Sequence, residues 1–340
     1  MTQAAGIGAH PGLMKLLAPV SAHEEVAPLI AAGAEEIYCG LVPAAWVSGE
    51  DPAHWLNRRS ARGANLHSIG ELRAVLASAH DRAVPVFLTL NAHHYQQRQI
   101  PLIVEMARVL GAEGVDALIV SDLTLIGALR DGGVYVPVHL SSLGVCINAE
   151  AARFYADLGV RRIILPRHLS LPEIGAVVSA VPEVEFEVFL LNDGCVYEEG
   201  HCLTTHEWGA FCLEDWSFEF RPLSEEAAAR HRAAWDDTLA DYQRFRWFQN
   251  NAGCSTTARG LPNGPCSLCF LPRFAEAGVA SLKVVGREAA AIRKLASVQL
   301  AGAVLRTWRE THAPEAVAAR ARGLRDTPDL CDSGYMCYFR

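Results

Sequence analysis

Eight short apolar runs, separated by longer amphipathic segments, constrain the fold of this chain more than any other feature. The runs are LLAP (16–19), EIYCG (36–40), VFLTLN (86–91), ALIVSD (117–122), VPVHLS (136–141), RIILPR (162–167), FEVFLLN (186–192) and SLKVV (281–285). Continuous apolar strands that alternate with helices are typical of a parallel sheet covered by helices. Eight such units predict an α/β fold, a (β/α)8 TIM-like barrel whose functional site lies at the carboxyl ends of the strands.

The spacing of these runs also predicts the domain organisation. Nearly ninety residues separate the seventh and eighth runs, far more than an ordinary connection between a strand and a helix. We therefore expect a barrel over residues 14–308 that includes a long Cys-rich insertion at 192–275. A disordered lead-in at 1–13 and a C-terminal tail at 309–340, packed on the barrel, complete the prediction.

One long helix is expected inside the insertion. Residues 224–250 read SEEAAARHRAAWDDTLADYQRFRWFQN, with Ser224 as the capping residue. Trp235, Tyr242 and Phe245 recur on one face at helical spacing. This face favours a helix packed on the barrel over a lid that covers substrate.

Composition excludes several classes of protein. With 51% hydrophobic and 20% charged residues, the 340-residue chain is neither disordered nor collagen-like. A net charge of −8 argues against a broad electrostatic grip on nucleic acid, so a small-molecule substrate is expected instead. No apolar run approaches the roughly 18 residues of a membrane span. The first residues, MTQAAGIGAHPGL, lack a secretory pattern, and we predict a cytoplasmic protein.

The ten cysteines are unevenly distributed, and this points to a metal or redox site. Six of them fall within one window: Cys195, Cys202, Cys212, Cys254, Cys266 and Cys269. In a reducing compartment, clustered cysteines more often bind metal than form disulfides. The wide spacing of the first three favours an iron–sulfur cluster, whereas only the C-S-L-C pair has the form of a zinc knuckle. Spacing alone is compatible with three alternatives, which are an iron–sulfur cluster, a zinc site and cysteines that bind no metal.

Polar and cationic side chains are expected around the same end of the barrel. Those predicted to bind substrate are Arg59, Arg62, Asn91, Ser141, Lys283 and Arg287, and those predicted to act in catalysis are Arg167, His139 and His168. Arginine suits a dicarboxylate because its planar guanidinium donates two parallel hydrogen bonds. Imidazoles exchange protons near neutral pH. Polar residues that merely mark the ends of strands, and histidines with a structural role, are the alternatives.

Several motifs, in matching order, resemble the peptidase U32 family of collagenase-like peptidases. GCVYEEGHCLTTHEWGAFC (194–212) is similar to the family's G-x-x-C-x-x-Y-x-G-x-C-x-L-S segment. HLSSLGVCINAEAARFYADLGVRRIILPRHLSLPEI (139–174) and CSLCFLPRFAEAGVASLKVVGR (266–287) resemble two further blocks. The likeness covers about residues 14–300.

The resemblance implies chemistry as well as fold. Some members of that family carry a 4Fe-4S cluster and support oxygen-independent hydroxylation, with prephenate implicated as the oxygen source. The implied function is hydroxylation of a quinone-like or aromatic small molecule, with prephenate as co-substrate and a related family member as heterodimer partner. Base hydroxylation in tRNA or rRNA, a collagenase-like peptidase and a non-catalytic cluster-binding scaffold remain alternatives. For a peptidase, the sequence lacks HExxH and GxSxG motifs.

The implied cluster ligands follow from the matched motifs. Cys195, Cys202 and Cys212 match the first three, and Cys266, thirteen residues before Val279, matches the fourth. Cys269 is the reserve, and Cys254 is out of register.

This sequence also departs from the family pattern. His168 stands where the R-E-L-S block has its acid, and Val285 stands where the E-G-R ending has its glutamate. These departures bear on the substrate rather than on the cluster.

The tail LCDSGYMCYFR (330–340) is unusually apolar for a chain terminus. Burial of Cys331, Cys337 and the aromatic residues against the barrel is one interpretation. The other is a lid that keeps solvent and oxygen away from the cluster.

Overall fold

Eight parallel strands close into a single barrel, in strand order one to eight. The computed structural model describes residues 14–47, 56–59, 61–192, 194–195, 198–202, 212, 214–253 and 255–339. The strands are β1 (Lys15–Pro19), β2 (Glu36–Gly40), β3 (Val86–Leu90), β4 (Ala117–Val120), β5 (Val138–Leu140), β6 (Arg162–Ile164), β7 (Glu185–Leu191) and β8 (Ser281–Val284). Closure comes from β1 beside β8, where Leu16 is in register with Leu282. The predicted (β/α)8 TIM-like barrel is thus confirmed.

Helices surround the barrel and connect its strands. They are α1 (Val26–Ala32), α2 (Ala44–Val47), α3 (Ala61–Ala64), α4 (Ile69–His80), α5 (Ile100–Ala112), α6 (Leu123–Asp131), α7 (Ala149–Asp157), α8 (Leu171–Ala180), α9 (Glu225–Asn251), α10 (Leu271–Ala277), α11 (Ala291–Thr311), α12 (Pro314–Arg325) and α13 (Pro328–Asp332). Local sequence fixes several starts: Ser170 and Glu173 form a capping box at α8. Within the described residues, no helix is both long and apolar enough to cross a membrane.

An ionic network crosses the barrel interior. The Arg162 guanidinium donates to both carboxylate oxygens of Glu36, at 2.9 and 2.8 Å, and to Glu185 at 2.6 Å. Glu187 accepts from Lys283 Nζ at 2.7 Å and lies 3.4 Å from Arg162. Burial by itself lowers the pKa of Arg162, but the carboxylates of Glu36 and Glu187 outweigh this effect and raise it. Side chains from β2, β6, β7 and β8 are thereby joined, and all of them are buried except Glu185, which is half exposed.

The insertion leaves the barrel at Asn192, directly after β7. Its φ of 70° is left-handed, a conformation that asparagine tolerates better than most residues. The Asn192 side chain donates to Ser297 Oγ at 3.0 Å, which ties this turn to α11. The long connection therefore starts from a fixed point at the barrel rim.

Helix α9 matches the predicted helix within one residue at each end, and Ser224 Oγ accepts from Ala227 N at 3.1 Å. Its aromatic face packs within the insertion and on the tail. Trp235 stacks on Phe220 with ring centroids 5.5 Å apart, and Trp247 lies 5.4 Å from Tyr335. These contacts differ from the expectation that the aromatic face packs on the barrel.

The end of the chain lies beside the insertion. Phe339 packs edge-on against Phe270, at 5.2 Å between ring centroids, and the Tyr338 hydroxyl donates to Asn192 O. Tyr338 and Phe339 line a small pocket with Leu165 and Arg167. None of the described tail residues lines the large cavity at the barrel mouth. A role in protecting a cluster stays a prediction.

Glu36→Gln should destabilise the protein by about 3 kcal/mol, because it leaves the buried Arg162 charge without its bidentate partner. Urea denaturation would measure the loss. Glu113→Gln is the matched control, since Glu113 forms its ion pair with Arg73 at the surface, at 2.6 Å. An equal loss of stability in both variants would contradict a special role for the buried pair.

Candidate functional site

A cavity of about 410 Å³ opens at the carboxyl ends of the strands. Three cysteine thiols and six cationic side chains share its wall. They are Cys195, Cys202, Cys212, Arg58, Arg59, Arg167, Lys283, Arg287 and Arg293. Among the described lining residues only Glu199 and Glu288 are acidic. The cavity therefore combines soft sulfur donors with an excess of positive charge.

Three separate loops hold the segment that carries Cys202. His93, after β3, contacts the Glu199 carbonyl at 2.7 Å, and Arg167, after β6, forms an ion pair with the Glu199 carboxylate. Arg58 donates from Nη2 to Cys202 Sγ at 3.5 Å. The insertion is thus fastened across the barrel mouth rather than only at its ends.

Cys212 is held by a contact from α9. Arg246 donates to the Cys212 carbonyl at 3.2 Å and pairs with Asp215 at 2.6 Å. Burial, and then the neighbouring Cys202, raise the pKa of the Cys212 thiol. The two cysteines are therefore close enough to interact electrostatically.

The cations at the cavity floor are fixed by polar neighbours. Arg287 donates to Asn65 Oδ1 at 3.1 Å and to Thr89 Oγ1 at 2.8 Å. A Cβ at Gly40 would lie 1.9 Å from Asn65 Oδ1 and 2.1 Å from an Arg287 guanidinium nitrogen, so a larger residue there would displace these two side chains. Lys283 lies 4.2 Å from the centre of the Tyr38 ring. Burial lowers the pKa of Lys283, and the ion pair with Glu187 offsets part of that effect.

Most of the predicted substrate-binding residues do line the cavity. Arg59, Asn91, Ser141, Lys283 and Arg287 are all there. The side chain of Arg62 falls outside the described part of the structure.

Neither predicted catalytic histidine lines the cavity. His139 is buried, with its ring edge-on to Phe87 at 4.7 Å and its Nδ1 without a hydrogen-bond partner among the described residues. Burial and the nearby Arg162 and Lys283 lower the pKa of His139 well below its ordinary value. His168 instead pairs with Glu198 at 2.6 Å, outside the cavity wall. These positions do not support proton transfer to a substrate by either imidazole.

Cys266, the predicted fourth ligand, does not line the cavity but lies beside the start of the insertion, since Asn192 N donates to Pro265 O at 2.7 Å. Cys266 pairs with Leu191 and Cys337 through backbone bridges, and neither Cys266 nor the reserve Cys269 lines the cavity. Cys254 lies outside the described residues, but Ala252 and Gly253, directly before it, do line the cavity.

The donor set can be tested for its fit to an iron–sulfur cluster. Three thiols in one cavity wall, next to an arginine that favours thiolate, fit that chemistry. In the described ranges, no three His, Cys, Asp or Glu side chains already form a group that could hold a metal ion. The three cysteines therefore fit an iron–sulfur cluster in donor type and location, and a fourth ligand must come from outside the described cavity wall.

Sequence reasoning missed several residues of the wall. Arg58, Arg293, Gln249 and Tyr38 all contribute. The Arg58–Arg59 pair was a usable signal, because both lie in the loop after the second strand. No sequence signal marked Gln249, because its position in the cavity wall depends on how α9 returns to the barrel mouth.

The protein is therefore a parallel eight-stranded α/β barrel, and its polar cavity lies at the carboxyl ends of the strands. Within that class, the chain matches the family model described as Peptidase family U32 over residues 21–339, and it belongs to that family.

Relatives with assigned names fall into two kinds. The chain is 28% identical over 189 residues to tRNA hydroxylation protein P of Escherichia coli (strain K12), covering 56% of this chain and 38% of that protein. It is 23% identical over 281 residues to tRNA hydroxylation protein P1 of Bacillus subtilis (strain 168), covering 80% and 58%. A collagenase of Porphyromonas gingivalis (strain ATCC BAA-308 / W83) is 28% identical over 207 residues, covering 57% and 45%. The chain thus spans between 38% and 58% of the length of these three relatives.

The buried His139 should make stability depend on pH. Its folded-state pKa is depressed, so between the folded value and about 6.5 only the unfolded chain takes up a proton there. Stability should therefore fall as pH drops below about 6.5, by up to about 1.4 kcal/mol per pH unit from this group. Urea denaturation at successive pH values measures the slope.

His139→Gln should remove that part of the slope, whereas His231→Gln, on the exposed face of α9, should not. An unchanged slope in the His139 variant would show that His139 protonates equally in both states.

Proposed function

We propose that this chain takes part in oxygen-independent hydroxylation of a base in RNA. The observation that carries the proposal is the joint wall of three thiols and six cations at the barrel mouth. The relatives named for tRNA hydroxylation favour RNA over the small-molecule acceptor expected from the sequence. Both the activity and its substrate go beyond what family membership establishes.

The size and charge of the cavity support this function. A volume of about 410 Å³ is within the usual range for small-molecule pockets and accommodates one ring system. Enzymes that modify bases take a single flipped nucleotide into such a pocket. The apolar part of the wall, Tyr38, Ile119 and Phe189, would contact the ring. Arg59 and Arg287 would bind phosphate or the carboxylates of a co-substrate such as prephenate.

For the cofactor, we propose a 4Fe-4S cluster held by Cys195, Cys202 and Cys212, which line the cavity, with Cys266 as the fourth ligand that the family motif implies. Cys266 is bridged to Leu191 at the end of β7, directly before the insertion that carries Cys195. When bound, such a cluster supplies one-electron chemistry. Arg58, at 3.5 Å from Cys202 Sγ, would favour the thiolate form of that ligand.

A small aromatic or quinone-like acceptor is the second candidate. The same apolar wall beside cations would accept a free aromatic ring as well as a base. In that case the chain would work alone or with a related family member. A peptidase or a non-catalytic scaffold would form no hydroxylated product. Analysis of the products therefore separates these functions from hydroxylation.

Cells that lack this chain should lose a nucleoside heavier by one oxygen from their tRNA or rRNA digests. Mass spectrometry of the nucleosides makes the comparison, and the wild-type gene should restore the product. Cys195→Ser should not restore it, whereas Cys146→Ala, which changes a buried cysteine away from the cavity, should.

Unchanged RNA together with loss of a hydroxylated quinone would establish the small-molecule function instead. Gelatin cleavage by purified protein, abolished by Cys195→Ser, would identify a peptidase.

Protein purified without oxygen should contain roughly four irons per chain, as four thiolates require. Serine at Cys195, Cys202, Cys212 or Cys266 should each lower iron and sulfide strongly. Cys254→Ser should leave both near the wild-type value. If Cys254→Ser loses iron and Cys266→Ser keeps it, the proposed fourth ligand is wrong.

A further inference from the structure

Lysine is rare in this chain, and one of its few lysines lines the cavity. Of the 30 cationic Lys and Arg side chains only three are lysines, namely Lys15, Lys283 and Lys294, and the rest are arginines. Lys283 is buried in the cavity wall, whereas half of the Lys15 side chain is exposed. Arginine cannot replace lysine where a primary amine must lose its proton and form a covalent bond. The amine of Lys283 is therefore a candidate for a chemical role.

The Lys283 amine lies against a carboxylate and an aromatic ring. Its Nζ donates to Glu187 Oε1 at 2.7 Å, and Glu187 is fully buried. The same Nζ is 4.2 Å from the centre of the Tyr38 ring. An amine is a nucleophile only after it has lost a proton, and Glu187 is placed to accept that proton.

A guanidinium that suits a carboxylate lies next to this amine. Arg287 is buried, and its hydrogen-bond partners among the described residues, Asn65 Oδ1 and Thr89 Oγ1, are neutral. Arg287 Cζ is 6.0 Å from the centre of the same Tyr38 ring, so one small molecule can reach both cations. Guanidinium groups bind carboxylates through charge-assisted hydrogen bonds. The two cations together suit a molecule with a carboxylate beside a group that reacts with an amine.

We propose that Lys283 forms an imine with an α-keto acid whose carboxylate is bound by Arg287. Glu187 accepts one proton from the ammonium, and the amine then attacks the keto carbon to give a carbinolamine. Glu187 returns the proton to the hydroxyl of this adduct, which leaves as water while the C=N bond forms. The sum is one ammonium and one ketone converted to one protonated imine and one water, with no change in charge.

The conservation of charge makes this step compatible with the buried ionic network. The protonated imine carries the same single positive charge as the ammonium, so Glu187 keeps a cationic partner throughout. A neutral product would instead leave a buried carboxylate less well compensated, which is costly.

The cavity wall accommodates the rest of an α-keto acid. Phe189 on β7 is in register with Lys283 on β8, and it lines the cavity together with Ile119 and Ile164. These side chains would contact an apolar or aromatic substituent on the keto carbon. A wall that excludes water also favours the imine, because water reverses its formation. The proposal rests on the proposed function only in treating the keto acid as the anionic co-substrate of the same cavity.

Reductive trapping on the full wild-type chain tests the imine. Protein treated with pyruvate and cyanoborohydride should gain the mass of one reduced pyruvyl group, and peptide mapping should place that group on Lys283. Phenylpyruvate should give the corresponding larger adduct. Lys15 is the internal control, because it reacts only as an ordinary surface amine. Absence of label from Lys283 with both acids, or equal labelling of Lys15 and Lys283, would overturn the proposal.

Variants and a competitor test the parts of the site separately. Lys283→Arg keeps a cation beside Glu187 and should abolish the label, whereas the matched variant Lys15→Arg should keep it. Arg287→Gln should lower labelling at low pyruvate concentration by about tenfold, because it removes charge-assisted hydrogen bonds. Lactate has the carboxylate but no carbonyl, so it should compete with pyruvate without being trapped. Equal labelling of Arg287→Gln and wild type would contradict the carboxylate site.

Failure of the imine is distinguishable from failure of the proposed function. Trapping is measured on the protein itself, without RNA, and the nucleoside comparison is made in cells. Labelled Lys283 together with unchanged RNA in cells that lack the chain would support the imine and contradict only the RNA substrate. Loss of the RNA product in those cells, with no label on Lys283 of the purified protein, would overturn only the imine.

Discussion

The ionic network inside the barrel is the constraint on which the site depends. Burying charge is costly, and it is tolerated only where partners compensate it fully. Here Arg162 is compensated by Glu36 and Glu187, and Glu187 also accepts from Lys283. Because Lys283 lines the cavity, the same network that joins the strands also fixes a positive charge at the cavity floor. Stability and site electrostatics therefore share one set of residues.

The period of a strand explains which polar residues reach the cavity. Side chains two apart on a strand face the same way, about 6.6 Å apart along it. Ser141 lines the cavity while His139, two residues earlier, lies one layer deeper. Phe189 and Glu187 on β7 repeat the arrangement, with Phe189 at the cavity. Sequence periodicity thus identifies the inward face of a strand but not the depth of a residue.

The same physical reasons determine which features of the fold and of the site the sequence can predict. The eight strands were predictable because each is a continuous apolar run, and their polar ends meet because all run parallel. The depth of His139 was not predictable, nor was the position of Cys266 outside the described cavity wall. Both depend on contacts between distant segments, such as the bridge from Cys266 to Cys337. A ninety-residue insertion offers too many ways of folding back for spacing to select one.

Net charge is a poor guide to what the cavity can bind, for a related reason. The total of −8 is a sum over the whole surface, whereas recognition depends on the charges at one mouth. Among its described residues, that mouth brings six cations together against two acids. Other acids do not line it, such as Glu225 and Glu226 at the exposed start of α9. A protein that grips a long stretch of phosphate backbone needs an extended basic surface, but one that admits a single base needs positive charge only around its pocket. An acidic chain with a locally cationic cavity is therefore compatible with an RNA base as substrate.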